Sequence, residues 1–381
     1  MNILIASDSF KGSLSSEQFG RIAKEAFLSV SQTFRIEIYP LADGGEGSLD
    51  TLLHYRGGEK LSLQVRGPLK NSVVNGNVGV FSDKTTGIVE VASASGFNMI
   101  FSERRDILSS SSYGTGEEIK FLLEKGISKI LLCLGGSGTN DAGTGILQAL
   151  GFRFLDKNKN ELQILPRDLP DLASIDTTKV NSKFLDCEFH LLCDVTNPLL
   201  GEKGASRVYG PQKGASAEEV EILEASLRHY ANILKKQTGI LLEEIPGTGA
   251  AGGIAASLLA FGKAKIVPGL QTILSFSNII ENLASGEIQV LITGEGKLDE
   301  QSFYGKASLS LCKLAYENRI KSLCIAGVID KNFYNKTEPY PNAAFSLTDR
   351  PMSLEESIEE APELLLYKLC IQIAGLLLTL P

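Results

Sequence analysis

Residues 291–302 constrain the fold more than any other part of the sequence. A short apolar run leads into two glycines, and the loop that follows carries Glu295, Lys297, Asp299 and Glu300. A strand that opens into an acidic, glycine-containing loop is typical of α/β enzymes, which bind ligands at the carboxyl ends of their strands. The segment therefore predicts an α/β fold with a charged site at a strand end.

Strand-like and helix-like patterns alternate at both ends of the chain, which predicts a parallel sheet. The strands are expected at residues 2–6, 35–41, 288–293, 322–328 and 343–347, with helices at 16–29, 48–55, 306–317 and 353–380. The middle differs, because residues 61–66, 72–81 and 87–92 read as a meander of three strands. We expect a discontinuous domain over residues 1–60 and 285–381, interrupted by an inserted α/β domain with a mixed sheet over 61–284.

Composition excludes several classes of function. The formal net charge is −8, and nucleic acids and anionic membranes both select a basic surface. The six cysteines form no CxxC pair and the three histidines have no zinc-ligand spacing, so we expect a cytoplasmic protein with reduced thiols. The apolar residues 364–380 are interrupted by Lys368 and Gln372, which favours a buried helix over a membrane span.

Two polar loops follow the first two predicted strands. Residues 7–13 supply the carboxylate of Asp8, the hydroxyl of Ser9 and the cation of Lys11. Residues 43–47 place Asp43 and Glu46 three positions apart among glycines, a pattern that suggests contacts with a metal ion or with hydroxyl groups. Capping of the next helix is the alternative explanation for the second loop.

Three further segments carry polar groups after predicted strands. Residues 134–145 contain five glycines interleaved with polar residues, and backbone N–H groups in such a loop favour anions. The loop matches neither a Walker A motif nor a clean dinucleotide fingerprint. Asp194 follows a buried strand and is placed to act as a base or metal ligand. Lys213 could contact phosphate, although a solvated surface lysine fits the pattern almost as well.

Carboxylates, a few lysines and abundant glycine on loops after strands fit phosphoryl transfer, which depends on positioning, Mg²⁺ and charge neutralisation. A metal-dependent lyase or mutase fits these residues almost as well. The residues alone leave both open.

Taken together, these motifs resemble the type 1 glycerate kinase family. The resemblance spans essentially the whole chain and rests on seven motifs in the expected order, at residues 8–12, 42–47, 135–145, 194–198, 210–215, 246–253 and 293–302. Departures are mild: Lys297 stands where the family often has Arg, and Ser48 where it often has Thr. A lysine keeps the charge but loses the bidentate geometry of a guanidinium.

The resemblance implies an ATP-dependent kinase that phosphorylates D-glycerate on its 2-hydroxyl to give 2-phosphoglycerate. It also implies two α/β domains, one Rossmann- or flavodoxin-like with a parallel sheet and one with a mixed sheet, and an active site in the cleft between them. ATP and Mg²⁺ are the expected cofactors, and a homodimer is one expected assembly. The competing hypotheses are a metal-dependent isomerase or lyase of a small hydroxy acid, and a sensor that binds glycerate or nucleotide without turnover.

Mapped onto this chain, the resemblance implies a role for each motif. Asp194 or Asp8 would accept the hydroxyl proton, and Lys11 would neutralise charge on the transferring phosphoryl group. Substrate binding is expected of Ser9, Asp43, Glu46, Lys297 and Asp299. Metal binding is expected of Glu295 and Asp43, and ATP binding is expected of Gly136, Ser137, Gly138, Thr139, Asn140 and Lys213.

Overall fold

The structure is a computed structural model that describes residues 1–10, 12–100, 106–303, 306–335, 337–350, 352, 356 and 361–379. Its strands are β1 Asn2–Ile5, β2 Arg35–Ile38, β3 Gly58–Arg66, β4 Val73–Phe81, β5 Thr86–Glu90, β6 Lys129–Cys133, β7 Arg153–Leu155, β8 Ser174–Asp176, β9 Glu188–Leu192, β10 Lys263–Val267, β11 Val290–Leu298, β12 Lys321–Ile329 and β13 Ala343–Ser346. Its helices are α1 Ser16–Val30, α2 Ser48–Arg56, α3 Val91–Ser95, α4 Tyr113–Glu124, α5 Thr144–Ala149, α6 Ser182–Asp186, α7 Ala205–Tyr209, α8 Ala217–Thr238, α9 Ala250–Phe261, α10 Gly269–Leu274, α11 Ile279–Ala284, α12 Ala307–Glu317 and α13 Pro362–Thr379.

Residue contacts divide the chain into two compact units. The first unit comprises Met1–Asp43 and Leu270–Pro381, and the second comprises Gly44–Gly269. Relative to the boundaries expected at residues 60 and 284, this division assigns α2 to the second unit, where it packs against β3, β4 and β5. Contact units need not coincide with folding domains, so the domain assignment remains a prediction.

The first unit is built on an all-parallel sheet of five strands in the order β13-β12-β11-β1-β2. When its strands are numbered along the chain, this order is 2-1-3-4-5, which is the flavodoxin-like arrangement. The order reverses between β1 and β11, and α/β sheets of this kind bind ligands outside the carboxyl ends of the strands at that switch point. The prediction of an α/β fold with a parallel sheet is confirmed.

Both faces of this sheet are covered, as a parallel sheet requires. Ile3 and Ile5 of β1 face a cluster formed with α1 and α13, whereas Leu4 and Ala6 face a cluster formed with α10, α11 and α12. Helix α1 begins with a capping box in which Ser15 accepts from the Gln18 N–H and Gln18 reaches back to the Ser15 N–H. Two helical layers thus fix the carboxyl ends of the strands.

The second unit contains a mixed sheet of six strands in the order β10-β9-β6-β5-β4-β3. Strands β5, β6, β9 and β10 are parallel, and β3 and β4 join them as an antiparallel meander, which confirms the predicted mixed sheet. A small antiparallel pair, β7 and β8, lies apart from it. One continuous apolar core lies beneath the sheet and includes the fully buried Tyr230 of α8.

One secondary-structure expectation needs correction, and another is tested only in part. Residues 294–298, expected as a loop, continue strand β11, and Glu295 and Lys297 pair with Ala326 and Val328 of β12. The reason is the partner strand, because β12 runs alongside these residues as far as Ile329. Glycine fits the close approach of the two strands, since an added Cβ at Gly294 would lie 2.7 Å from the Ile325 carbonyl oxygen. The C-terminal helix is described over Pro362–Thr379, and most of the predicted residues before it lie outside the described part of the chain.

Helix α13 is long and apolar enough to cross a membrane, which by itself is weak evidence for a span. It packs against α1 through a buried face that includes Leu366, Cys370 and Ile373. Its opposite side exposes Leu364 and Leu378. The helix therefore contributes one face to the core of the first unit.

Candidate active site

A cavity of about 440 Å³ lies at the carboxyl edge of the parallel sheet in the first unit, and we refer to it as the edge cavity. Segments that follow or end β1, β2, β11, β12 and β13 all contribute to its wall. Its lining residues are Asp8, Ser9, Phe10, Ser13, Asp43, Glu295, Gly296, Lys297, Lys306, Gly327, Val328, Leu347, Thr348 and Leu365. Five residues predicted for the site, Asp8, Ser9, Asp43, Glu295 and Lys297, therefore meet in one cavity.

Backbone hydrogen bonds hold the two central loops of this cavity together. The Asp8 N–H donates to the carbonyl oxygen of Gly294 at 2.9 Å, which extends the pairing of β1 with β11 beyond the last strand residue. The Ser9 N–H donates to Asp8 Oδ1 at 2.7 Å and fixes the carboxylate against its own loop. The position of Asp8 is thus set by the switch point of the sheet.

A nearly buried ion pair joins Glu295 to Lys306 at the edge cavity. Lys306 Nζ lies 2.8 Å from Glu295 Oε2, and Glu295 is only 5% exposed. Burial raises the pKa of Glu295, with Lys306 acting in the opposite direction. Burial alone would lower the pKa of Lys306, but the charges and hydrogen bonds of Glu295 and Asp299 outweigh it and the net shift is upward. Glu295 Oε1 is buried without a hydrogen-bond partner among the described residues.

The same lysine organises the end of β11. Lys306 Nζ also donates to the carbonyl oxygen of Lys297 and to Ser302 Oγ, each at 3.1 Å, and lies 3.7 Å from Asp299 Oδ1. Lys297 Nζ lies 3.6 Å from Asp299 Oδ2, so the predicted Lys297 and Asp299 are adjacent. Lys306 was not among the residues predicted from the sequence. The available signal was its place directly before α12, four positions after the motif at 293–302.

In the second unit, two glycine-rich segments approach each other closely. The Gly135 N–H donates to the Gly44 carbonyl oxygen at 3.0 Å, and a Cβ added at Gly135 would lie 2.6 Å from the Gly45 Cα. Gly252 has a φ of +69° and its position packs against the Thr139 carbonyl oxygen, which again leaves no room for a side chain. Glycine at these positions permits close contact between backbones.

Lys213 reaches into the glycine-rich loop from beneath. Its Nζ donates to Ser137 Oγ at 2.8 Å and to the Thr139 carbonyl oxygen at 2.7 Å, and the residue is only 5% exposed. Burial lowers the pKa of Lys213 to about 7, with the charge of Asp141 opposing that shift. Because Lys213 is buried, the alternative of a solvated surface lysine is wrong.

The polar side chains of this loop are buried with it. Thr139 and Asn140 are wholly buried, and Asn140 Nδ2 donates to Ser206 Oγ at 3.1 Å. Asp141 accepts hydrogen bonds from the N–H and Oγ of Ser112, both at 2.7 Å, and stabilises the turn into α5. Thr139 Oγ1 and Asn140 Oδ1 make no hydrogen bond to the described residues.

Two further predicted residues of the second unit, Asp194 and Glu46, occupy separate positions. Asp194, half-buried directly after β9, accepts a hydrogen bond from the Gly269 N–H at 2.9 Å. Glu46 is exposed and accepts one from Asn98 Nδ2 at 3.2 Å. The predicted Lys11 lies outside the described residues. Within the described part of the chain, no group of three or more His, Cys, Asp and Glu side chains is placed to hold a metal ion.

Glu90, at the carboxyl end of β5, is a second residue that was not predicted from the sequence. It accepts a hydrogen bond from the Leu49 N–H at 2.7 Å. Burial raises its pKa to about 7, and the charges of Asp50 and Glu46 add to the effect. Glu90 can therefore exchange a proton near neutral pH. Its place at the end of a buried strand, as for Asp194, was the signal in the sequence.

The chain is an α/β protein of two compact units, with charged loops at the strand ends of its sheets. This arrangement is typical of α/β enzymes. The description "Glycerate kinase family" belongs to a family model that matches residues 3–378. The chain belongs to the glycerate kinase family, and it is accordingly an enzyme of the kinase class. The resemblance inferred from the seven sequence motifs is thus confirmed.

Individual relatives agree with this assignment. The chain is 38% identical to a glycerate kinase from Halalkalibacterium halodurans over 363 residues, which covers 95% of each protein. It is 36% identical to a glycerate 2-kinase from Escherichia coli over 361 residues, covering 95% of this chain and 94% of that protein. A crystal structure from Salmonella typhimurium LT2, provisionally assigned as glycerate kinase 2, matches with a TM-score of 0.80 and 34% identity over 99% of this chain and 98% of that one.

Proposed function

We propose that this protein transfers the γ-phosphoryl group of ATP to the 2-hydroxyl of D-glycerate, giving 2-phosphoglycerate and ADP. The observation that carries the proposal is membership in the glycerate kinase family, with a relative named glycerate 2-kinase that covers 95% of the chain. In this reaction the bond between the γ-phosphorus and the bridging oxygen breaks, and a bond from the hydroxyl oxygen to phosphorus forms. The hydroxyl proton passes to a carboxylate of the enzyme.

Phosphoryl transfer requires groups that accept this proton and neutralise the phosphate charge. We assign proton acceptance to Asp194 or Asp8, and charge neutralisation to Lys11 and Lys297. The family motifs imply contacts of Asp43, Glu46, Asp299 and Ser9 with the hydroxyl groups of a substrate. These assignments rest on the family motifs and, for Asp8, Asp194 and Lys297, on positions at strand ends.

The residues of the edge cavity fit a magnesium ion. Mg²⁺ is usually bound by one or two carboxylates together with substrate phosphates, so a cage of three protein ligands is not needed. Glu295 has a buried carboxylate oxygen without a partner among the described residues, and Asp43 lines the same cavity. Glu295 and Asp43 would hold the ion, which when bound would neutralise phosphate oxygens.

We further propose a cytoplasmic enzyme that acts on small molecules without nucleic acid or membrane partners, and that assembles as a homodimer. The net charge of −8 supports the first part. Light scattering coupled to size-exclusion chromatography tests the second, because a monomer at working concentrations would exclude a stable dimer.

The proposed reaction is tested by incubating the purified protein with Mg²⁺, ATP and D-glycerate and resolving the products by ³¹P NMR. A 2-phosphoglycerate signal is expected. A 3-phosphoglycerate signal would retain the kinase but change the accepting hydroxyl. Conversion of glycerate when ATP is omitted would indicate a metal-dependent isomerase or lyase instead, and binding without any conversion would indicate a sensor.

A further inference from the structure

We infer that the edge cavity binds the nucleoside triphosphate, with the base on its apolar wall and the phosphates at its charged end. The inference rests on the proposed function, because it decides which of the two substrates of a kinase this cavity takes. It departs from the sequence-based expectation, which gave ATP to the glycine-rich loop around Ser137 and gave the edge-cavity residues to glycerate.

The wall of the edge cavity has an apolar part that glycerate cannot use. Phe10, Leu347 and Leu365 are nearly buried and line the cavity together with Val328, which is 42% exposed. A three-carbon hydroxy acid consists of a carboxylate and two hydroxyl groups and offers almost no apolar surface. A purine base offers two apolar faces, and pockets of roughly 300–1,000 Å³ with apolar walls and a few polar groups are typical of ligands of this size.

The other part of the wall is charged in a way that suits a triphosphate bound with a divalent cation. Lys306 and Lys297 supply positive charge, and Asp8, Asp43 and Glu295 supply three carboxylates. The carboxylates alone would repel the triphosphate, whereas a bound Mg²⁺ would attract both the carboxylates and the phosphate oxygens. Because these groups lie where the strand order of the sheet reverses, they occupy the position at which such sheets bind nucleotides.

The glycine-rich loop of the second unit is a weaker candidate for the nucleotide. Thr139 and Asn140 are wholly buried, and the amine of Lys213 is engaged in hydrogen bonds to Ser137 and to the Thr139 carbonyl oxygen. These hydrogen bonds commit the buried amine to holding the loop in place. The edge cavity, by contrast, has two lysines on the wall of a formed volume.

The inference is tested by direct binding of a non-hydrolysable ATP analogue, adenylyl imidodiphosphate, measured by calorimetry with and without Mg²⁺. The variant Val328→Glu places a carboxylate on the apolar wall at a partly exposed strand position. We expect its Kd for the analogue with Mg²⁺ to rise at least tenfold, with the KM for glycerate changed less than twofold. Val73→Glu, the same substitution at an exposed strand valine of the second unit, is the matched control and should bind the analogue as the wild type does.

Hydrogen exchange of the wild-type protein provides a second measurement that depends on no variant. The analogue with Mg²⁺ should protect the peptides around Phe10, Val328 and Leu347. Protection of these peptides by glycerate alone, or a raised glycerate KM with unchanged analogue affinity in Val328→Glu, would overturn the inference while leaving the kinase intact. Absence of both analogue binding and phosphoglycerate formation would overturn the proposed function as well.

Discussion

Lys213 carries a buried amine whose charge should make the stability of the protein depend on pH. Burial lowers its pKa from the ordinary 10.5 to about 7, while in the unfolded chain the amine returns to the ordinary value. Between these two values the unfolded chain binds a proton that the folded chain does not. Stability therefore rises with pH in this window, and below pH 7 both states are protonated and the full cost of the buried charge is present.

The magnitude follows from the size of the shift. A change of one pKa unit corresponds to about 1.4 kcal/mol, so the whole effect is roughly 5 kcal/mol between pH 7 and 10.5. Over the practical range from pH 6 to pH 9, the same two pKa values give roughly 2–3 kcal/mol. Because Lys213 is almost completely buried, solvent screening does not reduce this figure substantially.

The perturbation is Lys213→Met, which keeps the length of the side chain and removes the titrating group. Urea unfolding followed by far-UV circular dichroism gives the free energy of unfolding of both proteins at several pH values. We expect the wild type to gain roughly 2–3 kcal/mol relative to the variant from pH 6 to pH 9. The lost hydrogen bonds to Ser137 and Thr139 shift the difference by a constant and do not produce this slope.

Lys236→Met, at an exposed position of α8, controls for the loss of a lysine from the chain. A difference between wild type and Lys213→Met that stays constant from pH 6 to pH 9 would refute the reasoning. It would mean that Lys213 keeps its charge in the folded state, and that the amine is solvated or paired more strongly than its contacts indicate.

Three further predictions concern carboxylates and their partners. Asp194→Asn should lower kcat by roughly 10²–10⁴-fold if Asp194 accepts the proton; near-wild-type turnover would transfer that role to Asp8. Lys306→Met should lower the free energy of unfolding in denaturant by roughly 1–3 kcal/mol, because it leaves Glu295 without its cation. The loss is smaller than for a fully buried pair, since Lys306 is partly exposed. Adding Glu295→Gln should recover part of the loss. Burial raises the pKa of the wholly buried Glu118 well above its ordinary value, so above about pH 4.5 the unfolded chain releases a proton that the folded chain keeps. Wild-type stability should therefore fall relative to Glu118→Gln as the pH rises. Parallel curves of stability against pH would contradict this.

The sequence predicted the architecture well because the relevant signals are local. The spacing and number of apolar residues indicate strands that are buried on both faces. The alternation of such strands with helices indicates a parallel sheet. Placement of Asp8 and Glu295 at one edge also followed, because parallel strands share their carboxyl ends. The extension of β11 through Glu295 and Lys297 was not predictable in the same way, since it depends on the partner strand β12.

Side-chain partners were the part that local patterns could not supply. Lys306 lies eleven positions from Glu295, and Lys213 lies 76 positions from the Ser137 that it contacts. In neither pair do the two residues lie on the same helix or strand, so no periodicity within one element indicates the contact. Glu90 shows the same limit, because its raised pKa depends first on burial by residues remote in the chain.

A glycine-rich motif can serve close backbone packing or ligand binding, and only the contacts in the structure distinguish the two roles. Gly135 and Gly252 allow backbones to approach each other, and each would collide with backbone atoms if it carried a side chain. Such glycines are required for folding whether or not a ligand is bound. A ligand site is indicated instead by polar groups that remain without a partner beside open volume, as for Glu295 Oε1 at the edge cavity. The glycine-rich loop of the second unit has such atoms too, Thr139 Oγ1 and Asn140 Oδ1, although its lysine is held by hydrogen bonds within the loop. At the charged end of β11 the unpartnered oxygen belongs to a residue that lines a formed cavity, and that is where the chemistry should be sought.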